Sequence, residues 1–109
     1  MNPEQSIEEL PNLIADAERR IAELKFSYDI NKNRIEVNKA KLIIGLRFKK
    51  LTEQDKKAML KVKFQEDEEE LINLEYKIKL QEIEFNKLTN IFISARKQVN
   101  FRIAEMENL

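Results

Sequence analysis

Apolar residues recur every three or four positions along nearly the whole chain, which is the period of an α-helix. In the first half these positions are Ile7, Leu10, Ile14, Ala17, Ile21, Leu24, Tyr28, Ile35, Leu42 and Leu46, and in the second half Leu71, Leu74, Ile78, Phe85, Leu88, Phe92, Ala95, Val99 and Met106. Gln81 and Arg102 interrupt the second series. Each series predicts a helix with one apolar seam that packs on another helix.

Two sites carry the side chains that begin a helix. Ser6-Ile7-Glu8-Glu9 and Thr52-Glu53-Gln54-Asp55 each place a hydroxyl three residues before a carboxylate, so the hydroxyl can accept from unpaired backbone N–H groups. We therefore predict a first arm over about 6–50, a turn at about 50–52, and a second arm over about 53–108. Two helices joined by so short a turn form an antiparallel, coiled-coil-like hairpin. The predicted fold is all-α, with residues 1–109 in a single helical domain.

At two places the sequence leaves open whether the first arm is one continuous helix. Pro11 lacks a backbone N–H, and its ring crowds the carbonyl of Ile7, so a short leading helix that ends there is an alternative. The stretch at 29–33 is rich in Asp and Asn, which disfavour helix interiors. A three-helix arrangement that splits at this stretch is the second alternative.

Both arms also carry a second apolar stripe on the side away from the seam. Its members, our candidate self-association face, are Phe26, Ile30, Val37, Ile44 and Phe48 on the first arm and Ile72, Tyr76, Ile83 and Phe101 on the second. Soluble monomers seldom expose a long apolar strip, so we expect a neighbour to cover it. A homodimer that forms a four-helix bundle is the simplest neighbour, and a helix from another protein is the alternative.

The composition excludes several classes of function. The 109 residues include no Cys and no His, which excludes disulfides, thiol nucleophiles, imidazole metal ligands and histidine acid–base catalysis. Glu66, Glu69 and Glu70 share a helix face, but helical di-metal sites pair such carboxylates with His, so we expect a solvated face there. The single Gly45 cannot build a phosphate-binding loop and either permits close helix approach or weakens its helix. We therefore expect no enzyme activity and no cofactor.

The apolar runs and the first residues of the chain indicate in which cellular compartment the protein lies. The longest uninterrupted apolar run, residues 42–46, is far too short to cross a bilayer, and the polar start is unlike a secretion signal. We expect no membrane partner and a cytoplasmic protein.

Charge is balanced overall but uneven along the chain. Residues 1–31 carry three basic and seven acidic groups, residues 32–63 eleven and three, and residues 64–109 six and ten. In a hairpin that turns near residue 52, positions whose numbers sum to about 104 face each other. This places Arg34 and Lys39 near the acidic run at 66–70 and gathers cations at the turn. It also sets Tyr28 opposite Tyr76, as paired core or interface aromatics.

These cations form a candidate contact surface for a partner or for nucleic acid, the basic tip. Its members are Lys41, Arg47, Lys49, Lys50, Lys56, Lys57, Lys61 and Lys63. Clustered Lys and Arg bind phosphates in a salt-sensitive way, and Phe48 or Phe64 could stack on bases. In a dimer that packs tip to base, the same cations would instead contact the acidic ends of the partner copy.

The second arm opens with Thr52-Glu53-Gln54-Asp55-Lys56-Lys57-Ala58 and ends with Ser94-x-Arg96-x-Gln98-x-Asn100. In this it resembles small all-helical proteins of phages and integrated elements, some of them encoded beside single-strand annealing recombination genes. The resemblance implies action in a bacterial host cytoplasm, as an accessory to DNA metabolism or as an inhibitor of a host machine. We expect a non-enzymatic interaction protein that binds a protein partner; the alternative is a nucleic-acid-binding accessory factor that uses the basic tip.

Overall fold

Three helices account for nearly all of residues 1–108, the part of the chain that this computed structural model describes. They are α1, Pro3–Leu46; α2, Glu53–Lys63; and α3, Gln65–Glu107. No strand occurs within the described residues. The all-helical prediction is confirmed, while the bounds of both predicted arms differ from those observed.

The first helix begins at a capping box that the sequence analysis missed. The Asn2 side-chain oxygen accepts from the Gln5 backbone N–H at 2.8 Å, and the Gln5 side-chain oxygen accepts from the Asn2 backbone N–H at 3.3 Å. Pro3 occupies the first helical position, where its missing N–H costs no hydrogen bond. The start predicted at Ser6 is therefore wrong, because Ser6 is buried inside the helix and its N–H donates to the Asn2 carbonyl.

Neither weak point breaks α1, so both alternatives with a split first arm are wrong. Pro11 lies inside the helix with its ring exposed, and the nearby Leu10 and Ala17 are buried on the other side of the helix. The Asn31 side-chain amide donates to the Ser27 carbonyl at 2.9 Å. Because this bond satisfies the Asn31 side chain within the helix, the helix does not end there.

The second arm begins as predicted and then divides. The Thr52 hydroxyl accepts from the Asp55 backbone N–H at 3.1 Å, which confirms the cap. The helix does not continue to residue 108, because the buried Phe64 separates α2 from α3. The connection before α2 is also longer than the predicted turn, since α1 ends at Leu46.

The chain divides into two compact units, and unit 1 combines Met1–Glu23 with the chain from Ile78 onwards. Here the start of α1 packs antiparallel on the later part of α3. Arg20 donates to the Gln81 side chain at 3.0 Å, and Arg102 forms an ion pair with Glu4. The polar residues that interrupt the seam are therefore paired across it.

Unit 2, Leu24–Lys77, is a helical hairpin in which α2 lies in the connection between α1 and α3. Ile35, Leu46 and Phe64 are its buried residues. Lys39 lies over the Phe64 ring, 5.7 Å from the ring centroid to Nζ, and pairs with Glu68.

Within each unit the predicted seam residues are buried or half-buried, with one exception. Met106 is exposed, because the register that sets Glu4 beside Arg102 leaves no α1 residue opposite it. Gly45 allows no close helix approach, since a Cβ atom added there would meet nothing within 4 Å.

Candidate functional site

Four apolar side chains lie on one face of α1 in unit 2, which we call the outer face: Phe26, Ile30, Val37 and Ile44. Their exposed fractions are 67%, 51%, 44% and 55%. At 100° per residue they lie opposite Tyr28, Ile35 and Leu42, which belong to the seam. The outer face therefore does not pack on another helix of unit 2.

The other predicted members of the second stripe are exposed but do not form a continuous surface. Ile72 and Tyr76 are neighbours on α3 in unit 2. In unit 1, Ile83 and Phe101 are separated on their face of α3 by exposed polar residues that include Asn90, Ser94 and Lys97. Phe48 is not on a helix at all, because α1 ends at Leu46. The outer face of α1 thus holds four of the nine predicted stripe residues, with one polar position, Asn33, among them.

The basic tip lies in unit 2, around the turn. Arg47, Lys49 and Lys50 belong to the connection after α1; Lys56, Lys57, Lys61 and Lys63 lie on α2; and Lys41 lies on α1. Lys56 is half-buried and pairs with Glu53 at 3.5 Å. The other seven are exposed, and no ion pair within residues 1–108 engages them. Their charge is therefore available to an anionic partner.

An apolar groove opens beside these cations. Leu42 of α1 and Ala58, Met59 and Val62 of α2 line it, with Lys49 and Lys63 also on its walls. Met59 and Val62 were not among the predicted contact residues, although the spacing of Ala58, Met59 and Val62 is that of a helix face. The groove combines apolar contact area with positive charge.

Two further cations near the tip are neutralised across unit 2. Arg34 lies 3.6 Å from Asp67, and Lys39 pairs with Glu68, which confirms their predicted proximity to the acidic run. Phe64 is only 3% exposed and cannot stack on bases, so that part of the nucleic-acid interpretation is wrong. Phe48 is 87% exposed and is the aromatic side chain accessible in the turn.

Tyr28 and Tyr76 are not a pair of core aromatics, one of the two predicted alternatives, because Tyr76 is 63% exposed. The Tyr28 hydroxyl donates to Glu75 Oε1 at 2.8 Å, while Tyr76 is exposed. Because ionising Tyr28 would set a phenolate against this carboxylate, the hydrogen bond to Glu75 raises the pKa of Tyr28. In unit 1, a hydrogen bond to its own backbone and the contact with Arg102 hold the pKa of Glu4 below its ordinary value.

Among residues 1–108, no three acidic, histidine or cysteine side chains gather as ligands for a metal ion. No described helix has an apolar stretch long enough to cross a bilayer. No protein-family model, curated protein or solved structure matches the chain. Two surfaces are the candidate contact sites of the described residues: the outer face of α1 and the basic tip.

Proposed function

We propose that this chain is a non-enzymatic interaction protein that binds other protein chains through the outer face of α1. The observation that supports the proposal is the row of four exposed apolar side chains on one helix face, Phe26, Ile30, Val37 and Ile44. In the cytoplasm of a bacterial host, such a protein acts as an accessory factor or as an inhibitor of the machine it binds.

The energetics of the outer face favour a partner. Complete burial of a large apolar side chain stabilises by roughly 1.5–3 kcal/mol. The four side chains are each about half exposed, so covering them contributes on the order of 4 kcal/mol before polar contacts are counted. The face follows a helical stripe, so a partner helix can cover all four at once.

The experiment compares two variants that make the same substitution in different places. Val37→Glu puts a charge in the outer face, while Val62→Glu puts it on α2, where Val62 is also exposed. Neither should impair folding, because Glu is at least as good a helix former as Val. Each variant and the wild-type chain are used as bait in a pull-down from a host extract. Their molar masses in solution are measured separately by sedimentation equilibrium. A second copy or another protein should be retained by wild type and Val62→Glu and lost from Val37→Glu. Equal behaviour of both variants would falsify the proposal.

A second function, nucleic-acid binding at the basic tip, is supported by the seven exposed cations that have no ion pair within residues 1–108. Clustered cations of this kind release counterions from a phosphate backbone, so the affinity should fall steeply with salt. Phe48, which is 87% exposed and adjoins Lys49, offers a ring for a base to stack on.

This second function is tested by gel-shift titration with single- and double-stranded DNA at two salt concentrations. The double change Lys49→Glu with Lys50→Glu should abolish binding and flatten the salt dependence. Lys87→Glu with Lys97→Glu alters net charge equally at exposed positions of unit 1 and should preserve binding. If both double variants lose DNA affinity equally, the DNA responds to the net charge of the protein and not to the basic tip. If the wild-type chain binds neither single- nor double-stranded DNA, this function is excluded.

A further inference from the structure

We propose that the outer face of α1 packs against the same face of a second copy, with the two α1 helices parallel and in register. This inference depends on the proposed function and names the partner of the same surface. The contact is a two-stranded coiled coil over residues 26–44, within unit 2.

The face carries a heptad pattern of its own, distinct from the seam. Its positions are separated by four, three, four, three and four residues: Phe26, Ile30, Asn33, Val37, Ala40 and Ile44. Ile30, Val37 and Ile44 fall at one set of core positions, where β-branched residues favour two parallel strands. All six residues are exposed.

The residues that flank this stripe carry opposite charges on its two edges. Asp29 and Glu36 lie on one edge and Arg34 and Lys41 on the other. In a parallel, in-register pair, each residue of the first edge meets the partner residue five positions further along. Asp29 then meets Arg34, and Glu36 meets Lys41, and symmetry makes each contact twice.

An antiparallel pair would bring like charges together, because each edge would then face the same edge of the partner copy. Arg34 and Lys41 would crowd each other, as would Asp29 and Glu36. The charge pattern therefore selects the parallel orientation.

These four charged side chains are accessible to a partner copy. All are exposed, and no ion pair within residues 1–108 engages Asp29, Glu36 or Lys41. Arg34 lies 3.6 Å from Asp67 and keeps about half of its side chain exposed. Its guanidinium has five N–H donors, so it can contact Asp67 and a partner carboxylate together.

The paired segment has clear ends. The two preceding positions of this face are Glu23 and Arg19, which lie 3.9 Å apart as an ion pair, and the helix itself ends at Leu46. Asn33 is the one polar residue among the six core positions. Parallel pairing sets the two basic tips side by side, but charges more than about 8 Å apart are largely screened at physiological salt.

The absence of cysteine from the sequence permits a direct test of orientation. In the parallel pair, position 30 faces position 30 of the partner, so Ile30→Cys should form a disulfide-linked dimer in a glutathione buffer. In an antiparallel pair centred on the stripe, position 30 faces position 40, about 15 Å from the other position 30 along the axis. That distance is beyond the reach of a disulfide.

The converse experiment mixes tagged Ile30→Cys chains with untagged Ala40→Cys chains. The parallel pair predicts almost no disulfide between position 30 of one chain and position 40 of the other. An antiparallel pair predicts that this mixed disulfide is the main product. Mixed disulfides in excess would overturn the parallel arrangement while leaving the proposed function intact. A wild-type chain that stays monomeric up to millimolar concentration also overturns it, and if another protein is then captured in a Val37-dependent way, the proposed function still holds.

A charge exchange gives an independent measure that does not alter the core positions. Lys41→Glu should raise the dimer dissociation constant about tenfold at low salt, because it sets a second carboxylate against Glu36 of the partner copy. The exchange Glu36→Lys with Lys41→Glu should restore most of the affinity. No loss in the single variant, or no recovery in the double variant, would contradict the parallel pairing.

Discussion

The Tyr28 hydroxyl donates a 2.8 Å hydrogen bond to Glu75, joining α1 to α3 in unit 2. Because this bond raises the pKa of Tyr28, Glu75→Gln should return that pKa toward the ordinary value near 10. The measurement is an alkaline titration of tyrosinate absorbance in a Tyr76→Phe background, which leaves Tyr28 as the only tyrosine. An unchanged titration curve in the Gln variant would show that Glu75 has no influence.

The same bond makes stability depend on pH in a definite direction. A folded-state pKa above the unfolded value means that the unfolded chain loses its proton first. The contribution is therefore complete below about pH 10 and is lost as the pH rises through the folded-state value. Urea melts of wild type and Tyr28→Phe should differ at neutral pH and converge in strong alkali.

The capping box at the start of α1 predicts unequal effects of two alanine substitutions. Asn2→Ala removes the acceptor for the Gln5 N–H and should lower the free energy of unfolding by about 1 kcal/mol. Ser6→Ala lies inside the helix and should change it by less than about 0.5 kcal/mol, because alanine is the better helix former. Thermal melts followed by circular dichroism test this, and the reverse order of effects would restore Ser6 as the cap.

Two phenylalanines in unit 2 provide a matched pair for the core. Phe64 is 3% exposed and packs beneath Lys39, so Phe64→Ala should cost about 3 kcal/mol or more of unfolding free energy. Phe48 is 87% exposed, and Phe48→Ala should change stability by less than about 0.5 kcal/mol. Similar urea midpoints for the two variants would mean that the Phe64 side chain does not anchor the junction of α2 and α3.

Gly45 should be replaceable with a gain in stability. An added Cβ meets no atom within 4 Å, and no glycine has a positive φ. Gly45→Ala should therefore stabilise by about 0.5–1 kcal/mol, mainly by restricting the unfolded chain. The reference variant Ala22→Gly, also exposed in α1, should lose a similar amount in the same denaturant titration. A loss at Gly45 would indicate a backbone conformation that alanine cannot adopt.

The helix class, the seam and the Thr52 cap could be read from the sequence, because each depends on spacing along one helix. The facing of Arg34 and Lys39 toward Asp67 and Glu68 followed from the turn position alone. The true cap at Asn2 was missed because Ser6 offers the same chemistry four residues later. Which of two competing caps is used depends on tertiary contacts, and here Ser6 is buried.

The division at Phe64 had a signal that was not used. Lys61 and Lys63 end α2, and Glu66, Asp67 and Glu68 begin α3. Basic residues stabilise the C-terminus of a helix and acidic residues stabilise the N-terminus, so this change of charge favours the end of one helix and the start of the next. Without the division, Met59 and Val62 could not be placed in a groove beside the tip. Which apolar residues lie away from the seam was predictable, because that depends only on helical period.

The lack of buried side chains in α2 affects how its surface responds to a ligand. Segments with few buried contacts open locally at low free energy, so α2 amides should exchange with deuterium faster than those of α1 beside Ile35. Lys56, Lys57, Lys61 and Lys63 all lie on this easily opened segment. A ligand that engages them should stabilise α2 against this local opening, so slowed amide exchange there would report its binding.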